Sequence, residues 1–367
     1  MREEPSRKDN EGLTRREIVR RAAVLGGGMA VAGALGLALE KLSAPKLDEF
    51  QQYLVDRKAR LQLDKLSTFS PEKKEALIDA EVARVREFVR GPEGKRILEN
   101  GTDDEVWMLI TMLPPIIREH IAGTKYDVSP TAWPSVVIPD SGTAALDVVD
   151  LSRIKQMNPK SYGNGFYVDS KTLVTNLHVL GGRSIPAREA ARLELAAQTN
   201  ALDIVYATLP KGNVAVSKPL SMQDTNDSVH ASFVTIAGIK PDSTAAADGT
   251  KLYPGIAIRM TPNLSRFLFG DPQASLRSLQ RDAFLKNSFM VVLPPGETGS
   301  RDGRRSPSDG MSGSPVLKSG SLAGIFRSGI NGRLQHRGLL YDIGFFHGPD
   351  EIKKAREVGL MYKVPGK

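Results

Sequence analysis

The chain has 367 residues, of which 25% are charged and 40% apolar, an ordinary globular balance whose length suggests two domains. It contains no cysteine, which removes disulfides, thiol chemistry and cysteine-based metal sites together. The net charge of +8 comes from Lys and Arg interspersed with Asp and Glu, a pattern that does not imply nucleic-acid binding.

In chain order, the first feature is Arg15-Arg16, followed two residues later by Ile18 and then by a Gly/Ala-rich apolar stretch over residues 22–39. A paired arginine ahead of a moderately hydrophobic segment resembles a twin-arginine export signal. The stretch is also close to the lower length limit for crossing a bilayer. Basic residues before it predict a cytoplasmic N-terminus and an exported body. No small-x-small cleavage site closes it, since Ala44 is followed by Pro45. Residues 1–40 are therefore expected to be a signal or a membrane anchor. The body is expected to be periplasmic, anchored to the inner membrane, or secreted. The competing reading is a buried Gly/Ala-rich helix.

Residues 41–126 read as helical. Ile78, Val82, Val85 and Val89 recur at intervals of three to four, with Ser70 placed as an N-cap and Pro71 at the first helical position. Asp103-Asp104-Glu105 predicts a second, short helix with acids at its positive end, stopping at Pro114-Pro115. His120 lacks the second histidine of a His-Glu-x-x-His zinc site and is expected on a helix surface. Residues 127–142 are rich in Pro and Ser and read as a linker.

From residue 143 the pattern turns to short β-like runs. Gly163-Asn164-Gly165-Phe166-Tyr167-Val168 comes first. Residues 172–180 then form a β-branched and apolar run with His178 near its end, read as a strand that delivers an imidazole. Taken alone, that segment suits a satisfied core histidine better. Asp203 opens another strand-like run over 203–209, and taken alone it is an acid at a strand's polar start. After Asp227, runs at 231–236, 255–260 and 288–293 are separated by Gly, Pro and Asp, as a β-barrel requires. Residues 265–286 leave room for a helix, and 349–359 read as a closing helix. Arg301-Asp302-Gly303-Arg304-Arg305 reads as a solvated loop rather than a clamp for an acidic ligand.

The most informative string is Gly310-Met311-Ser312-Gly313-Ser314-Pro315. A serine hydroxyl becomes a nucleophile only with a base in reach and N–H groups aimed at the oxyanion it creates. Glycine at 310 lets the chain turn so that its own N–H and that of Ser312 converge. A buried carboxylate at Asp203 would hold His178 in the tautomer whose other nitrogen faces Ser312. Asp224 and Asp227 are the next candidates for that acid. The order His, Asp, Ser differs from the Ser, Asp, His of α/β-hydrolases, whose Gly-x-Ser-x-Gly elbow also fails at Ser314.

These motifs together resemble the trypsin/chymotrypsin-like serine proteases, especially their bacterial branch. Thr175-Asn176-Leu177-His178-Val179 is similar to the histidine motif of glutamyl endopeptidases and high-temperature-requirement proteases. Residues 163–168 are similar to the strand that precedes it. Gly310 to Val316 is similar to the glutamyl endopeptidase serine motif, and Ala323-Gly324-Ile325-Phe326 resembles the strand that walls the substrate cleft. The resemblance spans roughly residues 143–345. It implies a mainly β fold: a chymotrypsin-like double six-stranded β-barrel over 143–367, with an additional N-terminal α-helical region.

The implied activity is that of an exported serine endopeptidase with His178, Asp203 and Ser312 as triad and Gly310 and Ser312 as oxyanion donors. No metal or organic cofactor is implied. The expected partners are protein or peptide substrates, the membrane if the N-terminal segment stays uncleaved, and no nucleic acid. Oligomeric state is left open.

The chain departs from the family in several places. Met311 stands where trypsin-type zymogens carry the Asp that receives a freed N-terminus, and no Ile-Val-Gly-Gly start is present. No room remains after the protease-like region for a PDZ module. The expected substrate-binding positions are Ser306, Phe326, Arg327 and Gly329. Ser306, six residues before the serine, is neutral where trypsin has its pocket Asp, which argues against cleavage after Lys or Arg. Phe326 stands where glutamyl endopeptidases have a pocket histidine, so small or apolar residues are the expected preference. Arg327 replaces the usual cleft-wall serine and keeps open a rival reading, an inactive pseudoprotease that binds proteins at the membrane.

Overall fold

The computed structural model describes residues 48–122, 148–150, 163–208, 220–239, 250–270, 285, 287–295, 297–300, 303–305, 310–336 and 339–364. The expected export segment at 1–40, the expected linker at 127–142, most of the 265–286 segment and Ser306 lie outside these residues. Among the described residues no helix is long and apolar enough to cross a membrane. Two compact units divide between Arg60 and Leu61. The first holds nearly all of helix α1 (Glu49–Leu61), which starts with Asp48 Oδ1 accepting from the Gln51 N–H at 2.7 Å.

The second unit opens with a short 3-10 helix (Leu63–Thr68) and then four α-helices: α2 (Pro71–Arg90), α3 (Pro92–Asn100), α4 (Asp103–Ile110) and α5 (Pro114–Ala122). Helix α2 begins as its sequence requires. Ser70 Oγ accepts from the Lys73 N–H at 3.3 Å, Pro71 fills the first turn, and Ile78, Val82, Val85 and Val89 form the buried stripe. Helix α4 carries a reciprocal cap between Thr102 and Glu105. Pro114-Pro115 do not end that helix. They start the next one, because a proline in the first turn gives up only an N–H that would have no intrahelical partner. His120 lies half-buried in the last turn of α5.

A five-stranded sheet follows, in the order β1 (Val148–Asp150), β2 (Asn164–Tyr167), β3 (Thr172–Thr175), β4 (Val205–Thr208), β14 (Met361–Lys363). All its pairs are antiparallel except β4 with β14. Between β3 and β4 come helices α6 (Leu177–Ser184) and α7 (Ala187–Asn200). The expected strand over 172–180 therefore stops at Thr175, and the histidine rides on a helix. Asn176 is the extended N-cap residue, and Val179 and Leu180 bury themselves from the helix's first turn. A short apolar run supports either assignment. Helix α7 buries Ala190, Leu193 and Ala197 on one face.

The second sheet has the order β6 (Thr250–Ile256), β5 (Phe233–Ile239), β11 (Pro315–Lys318), β12 (Ser321–His336), β13 (Leu339–His347), β8 (Ser288–Pro295), β7 (Ile258–Arg259). Its two edge strands, β6 and β7, are separated in the chain by Ala257 alone. The sheet therefore curls round until its edges meet in one bent strand, a nearly closed barrel. The bend is pinned by Ala231 N–H donating to Ala257 O at 2.8 Å and Ala257 N–H donating to Ser232 O at 3.0 Å. Inside, Phe289 and Phe346 stack at 5.1 Å among Val234, Ile236, Val291 and Phe326. Strands β9 (Glu297–Ser300) and β10 (Gly303–Arg305) form a separate hairpin.

The helices dock on this barrel through polar groups that complete one another. A one-turn helix α8 (Asn226–Val229) precedes the barrel strands, and Asn263, in helix α9 (Pro262–Phe269), donates to Ile97 O at 3.2 Å and Gly101 O at 2.9 Å, while Thr261 Oγ1 donates to Leu98 O. Leu98 O and Gly101 O lie at the end of α3, beyond the reach of its own N–H groups, while Ile97 O also accepts the Gly101 N–H at 2.9 Å. Helix α10 (Pro349–Glu357) then carries the chain back to the first sheet, where β14 joins β4.

Candidate active site

Strand β3 ends at Thr175 and the helix cap Asn176 follows, both polar and fully buried, and the first turn of α6 presents His178. Its imidazole is about half exposed, with Nδ1 2.5 Å from Asp203 Oδ2. The other carboxylate oxygen, Oδ1, accepts the His178 backbone N–H at 3.1 Å. Asn176 Nδ2 donates to Asp203 O at 2.7 Å, so the loop before β4 is held to the start of α6 by main chain and side chain together. An ionised carboxylate only accepts, so Nδ1 carries the hydrogen between them and Nε2 is the ring nitrogen turned away from Asp203.

Asp203 is 8% exposed. Burial pushes its pKa up, but the His178 hydrogen bond, the His178 and Arg327 charges and the His178 N–H outweigh this and bring it down to about 2. Behind it, the Asp203 N–H donates to His347 Nε2 at 3.4 Å. His347 is fully buried at the end of β13. Burial first, and the Arg327 charge second, push its pKa down to about 4.

The barrel sheet supplies the serine. Gly310 and Gly313 take φ values of 75° and 84°, a left-handed pair that makes the tight turn around Ser312. A Cβ at Gly313 would fall 1.9 Å from Asn164 O. The turn is tied inward by Ser314 N–H to Met311 O at 3.0 Å, Gly313 N–H to Phe326 O at 2.8 Å and Phe326 N–H to Ser314 O at 2.8 Å. From the first sheet, the Asn164 N–H donates to Ser312 O at 2.6 Å and its Nδ2 to Gly310 O at 2.8 Å.

Arg327 joins the two halves. Its Nε lies 3.4 Å from Asp203 Oδ2, and its carbonyl accepts the Ser312 Oγ–H at 2.8 Å. One residue thus spans from the acid to the serine. Among the described residues the His178 side chain hydrogen-bonds only Asp203, and the Ser312 hydroxyl is engaged by Arg327 rather than by the imidazole.

The other expected residues fall as follows. Asp227 pairs with Arg259 at 2.9 Å and its side chain is 86% exposed, while exposed Asp224 accepts Lys353 through its carbonyl. Neither is the acid bonded to His178. Phe326 is fully buried in the barrel core, because strand alternation sends its ring inward and leaves Arg327 on the opposite face. Arg327 is turned onto Asp203, and Gly329 is half-buried opposite Gly344 in the β12–β13 pairing. Sequence reasoning did not single out Asn164, Thr175, Asn176 or His347. Asn164 carried only a weak signal, an amide between two glycines, since its partners lie 146 residues away.

No family model and no curated protein matches the sequence. Among solved structures the chain is similar to the Rv3671c protease in an inactive form, at 13% identity and TM-score 0.35, covering 64% of this chain and 99% of that one. It is similar to a serine-to-alanine mutant of Rv3671c from M. tuberculosis H37Rv, also in an inactive form, at 14% identity and TM-score 0.32, covering 64% and 96%. It is similar to the HtrA-type protease AlgW with a decapeptide at 15% identity and TM-score 0.27, covering 55% of this chain and 53% of that one. At such low identity and superposition these likenesses carry no argument of their own.

Proposed function

We propose that the chain is a serine endopeptidase of the chymotrypsin-like class. The observation that carries this reading is the two-point contact of His178 on buried Asp203, with Arg327 reaching from that acid to Ser312. In the proposed reaction the Ser312 hydroxyl leaves the Arg327 carbonyl and turns to His178. Oγ then attacks the scissile carbonyl carbon as its proton passes to Nε2. Asp203 stabilises the imidazolium without taking its proton. The N–H groups of Gly310 and Ser312 receive the oxyanion. Collapse of the tetrahedral intermediate breaks the C–N bond, and Nε2 gives its proton to the leaving amine. Water then repeats the sequence on the acyl-enzyme and restores the serine.

The nearly closed second barrel supports a double six-stranded architecture, the first sheet contributing five described strands. The reading includes residues 1–40 as a twin-arginine-like signal or anchor, 41–126 as a helical region, 127–142 as a linker and 143–367 as the protease domain. The substrates are proteins or peptides cleaved after small or apolar residues. An Arg327 side chain engaged with Asp203 supports that preference over an acidic one. A peptide-library digest read by mass spectrometry checks it. Dominant cleavage after Lys or Arg would mean that another acid, Asp302 or Asp309, reaches the pocket.

The decisive test of the chemistry is labelling by a fluorophosphonate together with digestion of an unfolded protein. Both are expected in the wild type and absent in Ser312→Ala. A Ser312→Ala variant that digests as fast as wild type would sink the mechanism. The rival reading, a catalytically inactive binding module, is favoured by the Ser312 hydroxyl being engaged away from His178. Its signature would be a folded wild type that never labels.

A further inference from the structure

We infer that Asn164 is a positioning residue that fixes the oxyanion-binding turn to the sheet carrying the base. This rests on the protease reading and assigns to that site a residue outside the triad. Asn164 is fully buried, where an amide costs free energy unless its polar groups are satisfied. Its side chain donates to Gly310 O at 2.8 Å, and its backbone N–H donates to Ser312 O at 2.6 Å.

Those two carbonyls belong to the peptide planes on either side of the Met311–Ser312 peptide. The middle carbonyl, Met311 O, is held inward by the Ser314 N–H at 3.0 Å. In a trans peptide the N–H points opposite to the C=O. With three successive carbonyls held, the Ser312 N–H is aimed away from the turn's interior, where an oxyanion donor has to point. Asn164 holds two of the three.

The other end of Asn164 reaches the base. Its own carbonyl accepts the Thr175 Oγ1–H at 2.7 Å, and Thr175 is the fully buried last residue of β3, one residue before the cap of the His178 helix. The chain of contacts runs from the base's strand through Thr175 and Asn164 to the serine's turn. Gly313 leaves no slack in it, since any Cβ there would collide with Asn164 O.

The test uses the full chain and two variants. Asn164→Asp keeps the shape and turns the donor to Gly310 O into a repelling acceptor. Asn164→Ala keeps the backbone bonds and deletes only the amide. Steady-state hydrolysis of a fluorogenic peptide gives kcat and KM, inhibition by a peptidyl trifluoromethyl ketone reports binding of the tetrahedral oxyanion, and thermal melts report folding. Asn164→Asp is expected to lose about 100-fold in kcat with KM little changed, and to lose ketone affinity by the same factor as kcat/KM. Asn164→Ala is expected to lose roughly 10-fold in the same pattern, and it decides the matter if Asn164→Asp does not fold. Folded variants with wild-type kcat and ketone affinity, or a lowered melting temperature as the only change, would overturn the inference alone. A wild type that neither hydrolyses the peptide nor binds the ketone would overturn the protease reading itself.

Discussion

Arg327 puts a permanent cation beside a buried carboxylate that His178 also holds. A buried carboxylate without a countercharge is costly, so this contact adds to His178 in keeping Asp203 ionised. The same strand position exposes the limits of reading residues from sequence. His178, Asp203 and Ser312 were legible because each sits in a short local string whose chemistry has few uses. Arg327 was legible as an oddity but not as a partner of Asp203, because nothing local in the sequence says which way a strand side chain turns. Thr175 and His347 were silent, as hydroxyls and imidazoles that matter only through partners distant in sequence. At this scale the sharpest prediction concerns Gly313. With φ at 84° and no room for a Cβ beside Asn164 O, Gly313→Ala must shift backbone. A loss of at least about 2 kcal/mol in stability is expected, together with loss of fluorophosphonate labelling. Denaturant titration and a labelling gel check both, and a variant that labels at the wild-type rate would contradict the tightness of the turn.

Among the elements, α2 was readable to its capping residue, since its periodicity and its Ser-Pro start agree with each other. The 172–180 run was misread beyond Thr175, because a strand and a helix start share the same few apolar residues. Helix α7 carries no cap signal and was not anticipated. The docking of the helices on the barrel was also hidden. It depends on Asn263 finding the carbonyls at the end of α3, a contact between elements more than a hundred residues apart. Asn263→Ala should remove the amide donor from Gly101 O and one of the two donors to Ile97 O, which keeps the Gly101 N–H. A destabilisation of about 1–3 kcal/mol is expected, with kcat per folded molecule unchanged, because Asn263 touches none of the proposed site residues. Urea unfolding measures the first and active-site titration the second. A fall in kcat without a fall in stability would show that the helices act on the site.

For the molecule as a whole, acid should be destabilising over a defined window. His347 has an ordinary pKa of 6.5 once unfolded but about 4 when folded. Between those values the unfolded chain binds the proton more readily, so stability is intact above pH 6.5 and falls as the pH drops toward 4. The slope is on the order of 1.4 kcal/mol per pH unit from this group. Asp203, whose folded pKa is depressed to about 2, adds stability that is present above pH 4 and disappears as the pH falls through 2. Chemical denaturation at a series of pH values checks this, with His347→Gln expected to flatten the upper window. The proposed export route gives a second expectation: replacing Arg15 and Arg16 by Lys should leave the protein in the cytoplasm, read by fractionation. The barrel was visible in sequence as β runs between breakers, but its closure was not. Ala257 is one small residue in an apolar run, and only the pairing on either side of it shows that a single bent strand seals the sheet.

The parallel pairing of β14 with β4 sets an order in time. The first sheet carries the base and the acid, yet its outer strand is residues 361–363, and His347 beneath Asp203 comes almost as late. During synthesis residues 205–208 must wait for residues 361–363 before that sheet can be finished. A nascent chain that has not reached residues 361–363 cannot complete it, which delays the proposed catalytic centre until long after its own acid has emerged. In the proposed peptidase, chemistry that waits for a strand so far downstream of its acid is withheld while the intervening chain is being made.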